Sequence, residues 1–355
     1  MENCYINGIG CISAQKSFEK DYLIEPIVYS EENILKVVKP NYKDYISPAA
    51  VRRMSSGVKN GIVASTMAIN DAEVQLPGAI ITGTGMGCMQ DSEKFLNNLI
   101  NHNEEYLTPT SFIQSTHNTV GGQVALGLKC KAYNFTYVNT GVSFESALLD
   151  GLMQVENQDH QNVLVGGIDE LADHTSKLYK LIKHTKSDDE APYDIINKRT
   201  KGSISGEGAA FFVLDKEKTA NSYCKLADVK FVNNLETSGL ETFVNDFLAS
   251  NDLIASDIDV ILFGNNGDIE FDSYYDQLEP LFGEAAILYY KHLFGEFMTS
   301  SSIAVSLGSD ILRSQSIPGA LFKNEVSHPK GEIKNLLIYN QYRGKDHSLI
   351  LLKNV

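Results

Sequence analysis

The stretch Tyr137-Val-Asn-Thr-Gly-Val-Ser-Phe-Glu-Ser146 has the build of a turn that presents a nucleophile: an apolar strand, a tight Thr-Gly corner, then a helix. A side chain at such a corner stands at a helix N-terminus, where a thiol would have its pKa lowered by the helix end and by neighbouring imidazoles. The residue there is Val142. An isopropyl group can neither attack a carbonyl nor hold a thioester. The chain carries the architecture of a covalent catalyst without the atom that does the chemistry.

Few neighbours could take over. Ser143 needs a base to become a nucleophile, and an N-terminal helix-cap role suits its hydroxyl better. Cys88 follows the glycine-rich loop Gly83-Thr-Gly-Met-Gly87 and reads as packed rather than reactive. That loop lacks dinucleotide or Walker spacing, so it reads as a tight turn beside a cavity, not a phosphate cradle. Glu207, between Gly206 and Gly208, reads as a structural carboxylate that satisfies backbone donors. The five cysteines (4, 11, 88, 130 and 224) are scattered, odd in number and without CxxC spacing. Reduced, mostly buried thiols follow, with no disulfide, no metal site and no cofactor expected.

The elements that would position these residues alternate. Strands are expected over Asn3–Ile9, Ala79–Thr82, Tyr133–Val138 and Asn162–Val165, with another from the glycine turn at Ser205 to Leu214. Helices are expected over residues 49–73, 91–100 and 143–156, and a polar, charged loop over 186–201. The second half repeats the design. Ile261-Leu-Phe-Gly-Asn-Asn-Gly267 mirrors the strand and glycine turn at Ile80–Gly85, and the small-residue helix Thr299–Leu312 mirrors Ser143–Glu156. Strands alternating with helices in two copies predict a duplicated, layered α/β/α/β/α chain, with halves 1–220 and 221–355.

Composition sets the remaining bounds. With 355 residues, 43% of them hydrophobic, the chain can bury one large core or two fused halves. A formal charge of −15 argues against nucleic acid or an anionic membrane as main partner. It also argues against this chain as the main docking face for an acidic carrier protein. The N-terminus lacks a basic segment followed by an apolar one, and no apolar run approaches the ~18 residues of a membrane span. A soluble, cytoplasmic protein is expected.

In order, Thr140-Gly-Val142, Gly166-Gly-Ile-Asp-Glu170, Pro192-Tyr-Asp194 and Ser205-Gly-Glu-Gly-Ala209 before Phe-Phe-Val-Leu resemble the β-ketoacyl-acyl carrier protein synthases of the thiolase fold. The resemblance covers nearly the whole chain, which is shorter than typical members. It implies a thiolase-like fold of five layers. It also implies a cysteine that attacks the acyl thioester, two histidines that support decarboxylation and hold the oxyanion, and a lysine bonded within the set. Carried over, the cysteine falls on Val142, the two histidines on Asn266 and Glu296, and the lysine on Lys291. His292 lies one residue beyond and reads as a surface histidine. The phenylalanine- and glycine-rich gate is replaced by Asn340-Gln-Tyr-Arg-Gly-Lys-Asp346.

A synthase that keeps both histidines without its nucleophile could still decarboxylate; this chain keeps neither. What remains resembles the chain length factor of type II polyketide systems, a non-catalytic homologue paired with an active ketosynthase. The resemblance implies dimerisation through the strand at Asn134–Val138, with the preceding segment Pro109–Asn118 crossing the interface. Phe112, Ile113, Thr116 and His117 become candidates for shaping a partner's acyl pocket or for packing the interface. The run Phe-Ile-Gln-Ser-Thr-His-Asn-Thr119 before a Gly-Gly-Gln-Val-Ala helix is similar to synthase-like proteins of aryl polyene and flexirubin-type clusters. The carrier protein would dock mainly on the partner. Two other readings stand beside this one: a residual acyltransferase or hydrolase using Ser143, and a stand-alone acyl-binding homodimer.

Overall fold

Neighbouring residues in the long strands serve different cores. Val163 and Val165 join one hydrophobic cluster and Leu164 another; Leu336 and Ile338 separate from Leu337 in the same way. Strands covered on both faces need apolar residues at every position, which is why they read in the sequence as unbroken runs.

The computed structural model describes residues 3–105, 107, 109–188, 193–323, 329 and 331–355. Pro192 of the Pro-Tyr-Asp motif, and the 189–192 stretch of the expected loop, lie outside these. Ten strands form the large sheet: β1 Tyr5–Ile12, β2 Ala79–Gly83, β3 Tyr133–Tyr137, β4 Asn162–Asp169, β5 Gly208–Asp215, β6 Cys224–Asn233, β7 Val260–Phe263, β8 Ala286–Tyr289, β9 Asn335–Tyr342 and β10 Asp346–Lys353. The helices are α1 Pro48–Val51, α2 Ser56–Asp71, α3 Met89–Asn101, α4 Pro109–Gln114, α5 Thr119–Leu128, α6 Ser143–Glu156, α7 Asp173–Leu181, α8 Leu240–Ser250, α9 Ser273–Leu278, α10 Lys291–Phe294 and α11 Ser301–Ser314.

The strand order is two copies of one pattern. The N-terminal five run β3-β2-β4-β5-β1 and the C-terminal five β8-β7-β9-β10-β6. In each copy the first three strands are parallel and the last two antiparallel. The expected equivalence of the Ile80 and Ile261 strands is met, since β2 and β7 occupy the same place in their copies. The copies join where β1 meets β6 through Tyr5–Lys225 and Ile6–Cys224.

The core confirms the layering. α6 and α11 share the central cluster with the inner faces of both five-strand arrays, through Phe144, Leu148, Ile303 and Leu307. α2 covers the outer face of one array through Val58, Val63 and Ala64, and α8 covers the other through Phe243 and Phe247. The fold is therefore the five-layered α/β/α/β/α arrangement. α6 has the bounds expected from the sequence. The expected helix over 49–73 is instead two helices, α1 and α2, with a break at Arg52–Ser55. α11 runs two residues later than expected. Among the described residues no helix is long and apolar enough to cross a membrane.

One carboxylate ties the halves together near the glycine loop. Asp169, at the end of β4, accepts from Thr84 Oγ1 and from the backbone N–H groups of Gly85 and Met86 on one oxygen. The other oxygen accepts from the backbone N–H and the hydroxyl of Thr299, in the C-terminal half. Asp169→Asn would turn an amide N–H toward donors that already point at it. It should lower stability by roughly 2–4 kcal/mol, read as a fall in the denaturant midpoint with an unchanged slope.

Candidate functional site

The turn ahead of α6 is held from the opposite half of the chain. Thr140 sits at φ 44°, an uncommon conformation for a β-branched residue. Its hydroxyl and the Gly141 N–H, the latter at 2.9 Å, both donate to Asp346 Oδ2 at the start of β10. Gly141 has no alternative: a Cβ there would lie 2.3 Å from that of Tyr342. Val142 takes the N-cap position of α6 and is 1% exposed. The nucleophile turn is complete, and its tip is aliphatic.

Ser143 is not the helix cap expected from the sequence. Its hydroxyl accepts from the Asn139 N–H and donates to the Thr140 carbonyl, each at 2.8 Å, closing the turn from inside. The residue is fully buried and no imidazole is among its partners. A serine whose proton lies on a backbone carbonyl, with no base beside it, is not activated for attack. Cys88 is buried too, and burial pushes its thiol pKa up to about 12, as suits a packed thiol.

The other three positions carried over from the resemblance converge. Lys291 Nζ, at the start of α10, lies 2.7 Å from Glu296 Oε2 and 2.7 Å from Asn340 Oδ1. Asn266 Nδ2 donates to the same Glu296 oxygen at 2.7 Å, and Ser300 Oγ lies 3.3 Å from the other. The turn bearing Asn266 is set by Asp272, whose carboxylate receives the N–H groups of Asn266 and Gly267; Gly267 has φ 76°, where glycine is favoured. Two histidines at 266 and 296 would offer donors to a substrate oxyanion. Here an amide and a carboxylate satisfy each other and the lysine between them.

His292 is not a surface histidine. It is half-buried, Nε2 lies 2.8 Å from the Ala320 carbonyl oxygen, and burial pushes its pKa down to about 4. It does not line the cavity that reaches Asn266 and Glu296. That cavity is open to solvent, about 680 Å³ with the open space counted, and its lining includes Met86, Met89, Phe297, Met298, Tyr342 and Arg343. Asp169, Asn340 and Tyr342 complete the site but were not singled out by sequence. Each left a signal only as part of a longer motif, Asp169 in Gly166-Gly-Ile-Asp-Glu170 and the other two in Asn340–Asp346.

Phe112, Ile113, Thr116 and His117 lie elsewhere. All four are exposed on α4 and the turn after it, and none lines the cavity. His117 rests against Gly87, and Phe112 packs on Phe95 with ring centroids 5.3 Å apart. Glu207 behaves as expected, receiving the Val37 and Leu171 N–H groups.

Glu145, three residues into α6 from Val142, is fully buried. One carboxyl oxygen takes the Ser348 hydroxyl at 2.7 Å and the other has no partner. Burial raises its pKa from 4.5 to about 7. A carboxyl whose folded pKa lies above its unfolded value binds its proton more tightly when folded. Its stability contribution is therefore intact below about pH 4.5 and lost as pH rises through 7. Between pH 5 and 8 the wild-type chain should lose roughly 2–3 kcal/mol relative to Glu145→Gln, measured by denaturant unfolding at both pH values.

Comparison with known proteins agrees with this geometry. The family model described as the beta-ketoacyl synthase N-terminal domain matches residues 39–220, just over half the chain. No curated protein sequence matches significantly. Among solved structures, the ishigamide ketosynthase/chain length factor is similar at a TM-score of 0.82 with 16% identity, over 100% of this chain and 99% of that one. A ketosynthase (ApeO) in complex with its chain length factor (ApeC) from Xenorhabdus doucetiae gives 0.80 with 14% identity, over 100% and 98%. A beta-ketoacyl synthase from Burkholderia phymatum gives 0.79 with 16% identity, over the whole of both chains. With the duplicated five-layered fold, the turn before α6 and a matching N-terminal domain, this chain belongs to the β-ketoacyl synthase family.

Proposed function

We propose that the chain is a non-catalytic ketosynthase-like subunit that pairs with an active β-ketoacyl synthase and shapes its acyl pocket. The observation that carries this reading is the intact nucleophile turn with Val142 at its tip. The tight Thr140-Gly141 corner and its anchor on Asp346 are kept, while nothing at the tip can form a thioester. The Lys291–Glu296 pair supports it, since that buried lysine is neutralised within the protein.

Pairing is supported by β3. Among the described residues it lies at the edge of the sheet, hydrogen-bonded to β2 alone, with Tyr133 and Phe135, and Val138 just after it, exposed. An open edge bearing aromatic residues is a template for another strand, which proteins seldom leave uncovered. Phe112, Ile113, Thr116 and His117 are exposed as residues facing a partner would be in the free subunit. Two of the solved relatives pair a ketosynthase with a chain length factor, and another, AntDE:AntF, is described as an acyl-carrier protein in complex with its ketosynthase. The charge of −15 favours a carrier protein docking mainly on the partner. Within this class, the Phe112–Thr119 motif points to aryl polyene or flexirubin-type systems.

Two experiments test the reading. With acyl- and malonyl-carrier protein the isolated chain should give no condensation or decarboxylation above a no-enzyme control. Val142→Cys alone should not restore it, because the oxyanion donors, worth roughly 3–4 kcal/mol each, remain absent. Turnover abolished by Ser143→Ala would overturn the non-catalytic reading. Co-expression with the ketosynthase encoded beside it should yield a stable heterodimer. In that complex, Thr116→Trp should shorten the products without stopping initiation. Unchanged products in the chain's absence would sink the pairing.

A further inference from the structure

The open edge of the sheet holds a carboxylate at its middle. Alternate residues of β3 point to opposite sides. Asn134 and Thr136 turn toward α5 and β2, meeting the Gly121 carbonyl at 3.0 Å and the Thr82 hydroxyl at 2.8 Å. Tyr133, Phe135 and Tyr137 turn toward α6 as a row of rings, with successive centroids 6.1 and 4.9 Å apart. The hydroxyls of Tyr133 and Tyr137 both donate to Asp150 Oδ2, at 3.3 and 3.2 Å, and Gln154 Nε2 donates to Oδ1 at 3.1 Å. Burial, with Asp150 beside them, raises both phenol pKa values, that of Tyr137 to about 12, so both remain protonated donors. The three donors are neutral, and among the described residues no cation pairs with Asp150.

The position of that charge bears on self-pairing. Tyr133 and Tyr137 are four residues apart, about 13 Å along an extended chain, and one oxygen of Asp150 reaches both. A closed dimer of two identical chains needs a two-fold axis. Two copies of one strand joined across such an axis run antiparallel, with the axis perpendicular to the sheet. Using the whole of Tyr133–Tyr137 puts the axis at Phe135 and lays both α6 helices on the same face. The two Asp150 carboxylates then face each other across the axis, like charges in a contact that excludes water. Lys131 does not relieve them. Four residues before Phe135, it would meet Asn139 of the second copy, beyond the end of the strand.

We infer that Asp150 selects a non-identical subunit over a second copy of this chain, and that the strand received at β3 brings a lysine or arginine against it. The inference rests on the pairing proposed above and names the chemistry of the partner's facing strand. The row of rings, with Met153 exposed beside it on α6, supplies apolar contact to either kind of partner. The carboxylate decides between them. A basic side chain neutralises it where the contact excludes water, whereas a second copy doubles the charge.

Sedimentation velocity on the isolated full chain, at pH 7.5 and 0.05 M NaCl, reads self-association. The wild type should stay monomeric at about 10 μM. Asp150→Asn, which keeps the shape and an acceptor for the hydroxyls, should dimerise at least tenfold more tightly. Asp252→Asn, exposed in the turn after α8, removes the same net charge and should behave as wild type. Adding Phe135→Glu to Asp150→Asn should abolish the new dimer, because like charges then meet at the axis on β3. Raising the salt to 0.5 M should tighten wild-type self-association toward that of Asp150→Asn. In the heterodimer with the ketosynthase encoded beside it, Asp150→Asn should weaken binding at least tenfold. A wild-type homodimer tighter than about 1 μM at low salt, an Asp150→Asn variant no more self-associating than Asp252→Asn, or a heterodimer indifferent to Asp150→Asn would overturn the inference. If Asp150→Asn does not fold, wild-type self-association that ignores salt overturns it. The pairing itself fails separately, when the two co-expressed chains give no complex.

Discussion

Asp169 and Asp346 do the same thing from opposite directions. Each is a carboxylate in one half of the chain that gathers donors from the other. Asp169, ending β4, holds the glycine loop after β2 and the backbone of Thr299 just before α11. Asp346, opening β10, holds Thr140 and Gly141 just before α6, and takes Asn233 on its second oxygen. α6 and α11 are the paired helices of the central layer, so both enter that layer with their first turns fixed across the join. Buried carboxylates persist only where donors replace water, and here the donors are backbone groups that would themselves be costly to leave unpaired.

That frame explains why the turn survives without its chemistry. The geometry at Thr140–Val142 is demanded by the packing of Tyr342 on Gly141 and by the hydrogen bonds to Asp346, neither of which needs a thiol. Nor do the remaining positions stand independently of one another. Glu296 neutralises Lys291 at 2.7 Å and engages Asn266 on the same oxygen, so the three positions are coupled. Removing one partner of a buried ion pair typically costs 3–5 kcal/mol. A single substitution at any of the three therefore meets a network already satisfied without it.

The same coupling decides where the donors of the site point. A site that stabilises an oxyanion aims donors into its space. Here the donors at 266 and 291 are turned onto Glu296, and Ser300 meets its other oxygen. Meanwhile the outer edge of the molecule, with β3 and α4, keeps the exposed aromatic and aliphatic side chains that a second subunit would cover.

Much of this was legible in the residues. Unbroken apolar runs at Ile80 and Ile261 mark strands buried on both faces, because each position must meet one hydrophobic layer or the other. The bounds of α6 follow from the Thr-Gly corner and from Glu156, after which the apolar spacing stops. Val142 declares its own inertness, since no packing can make an isopropyl group nucleophilic. Part of what the sequence could not settle depends on partners more than a hundred residues away. Thr140 meets Asp346 and Asp169 meets Thr299 only because the two five-strand arrays face each other across α6 and α11. Ser143 offers a hydroxyl that suits a helix cap, and only the positive φ at Thr140 turns it inward to close the corner. His292 reads as exposed between Lys291 and Leu293, yet the tertiary fold buries half of it against the Ala320 carbonyl. Local chemistry fixes which groups are available; the long-range closure of the sheet decides which of them face water, each other or the cavity.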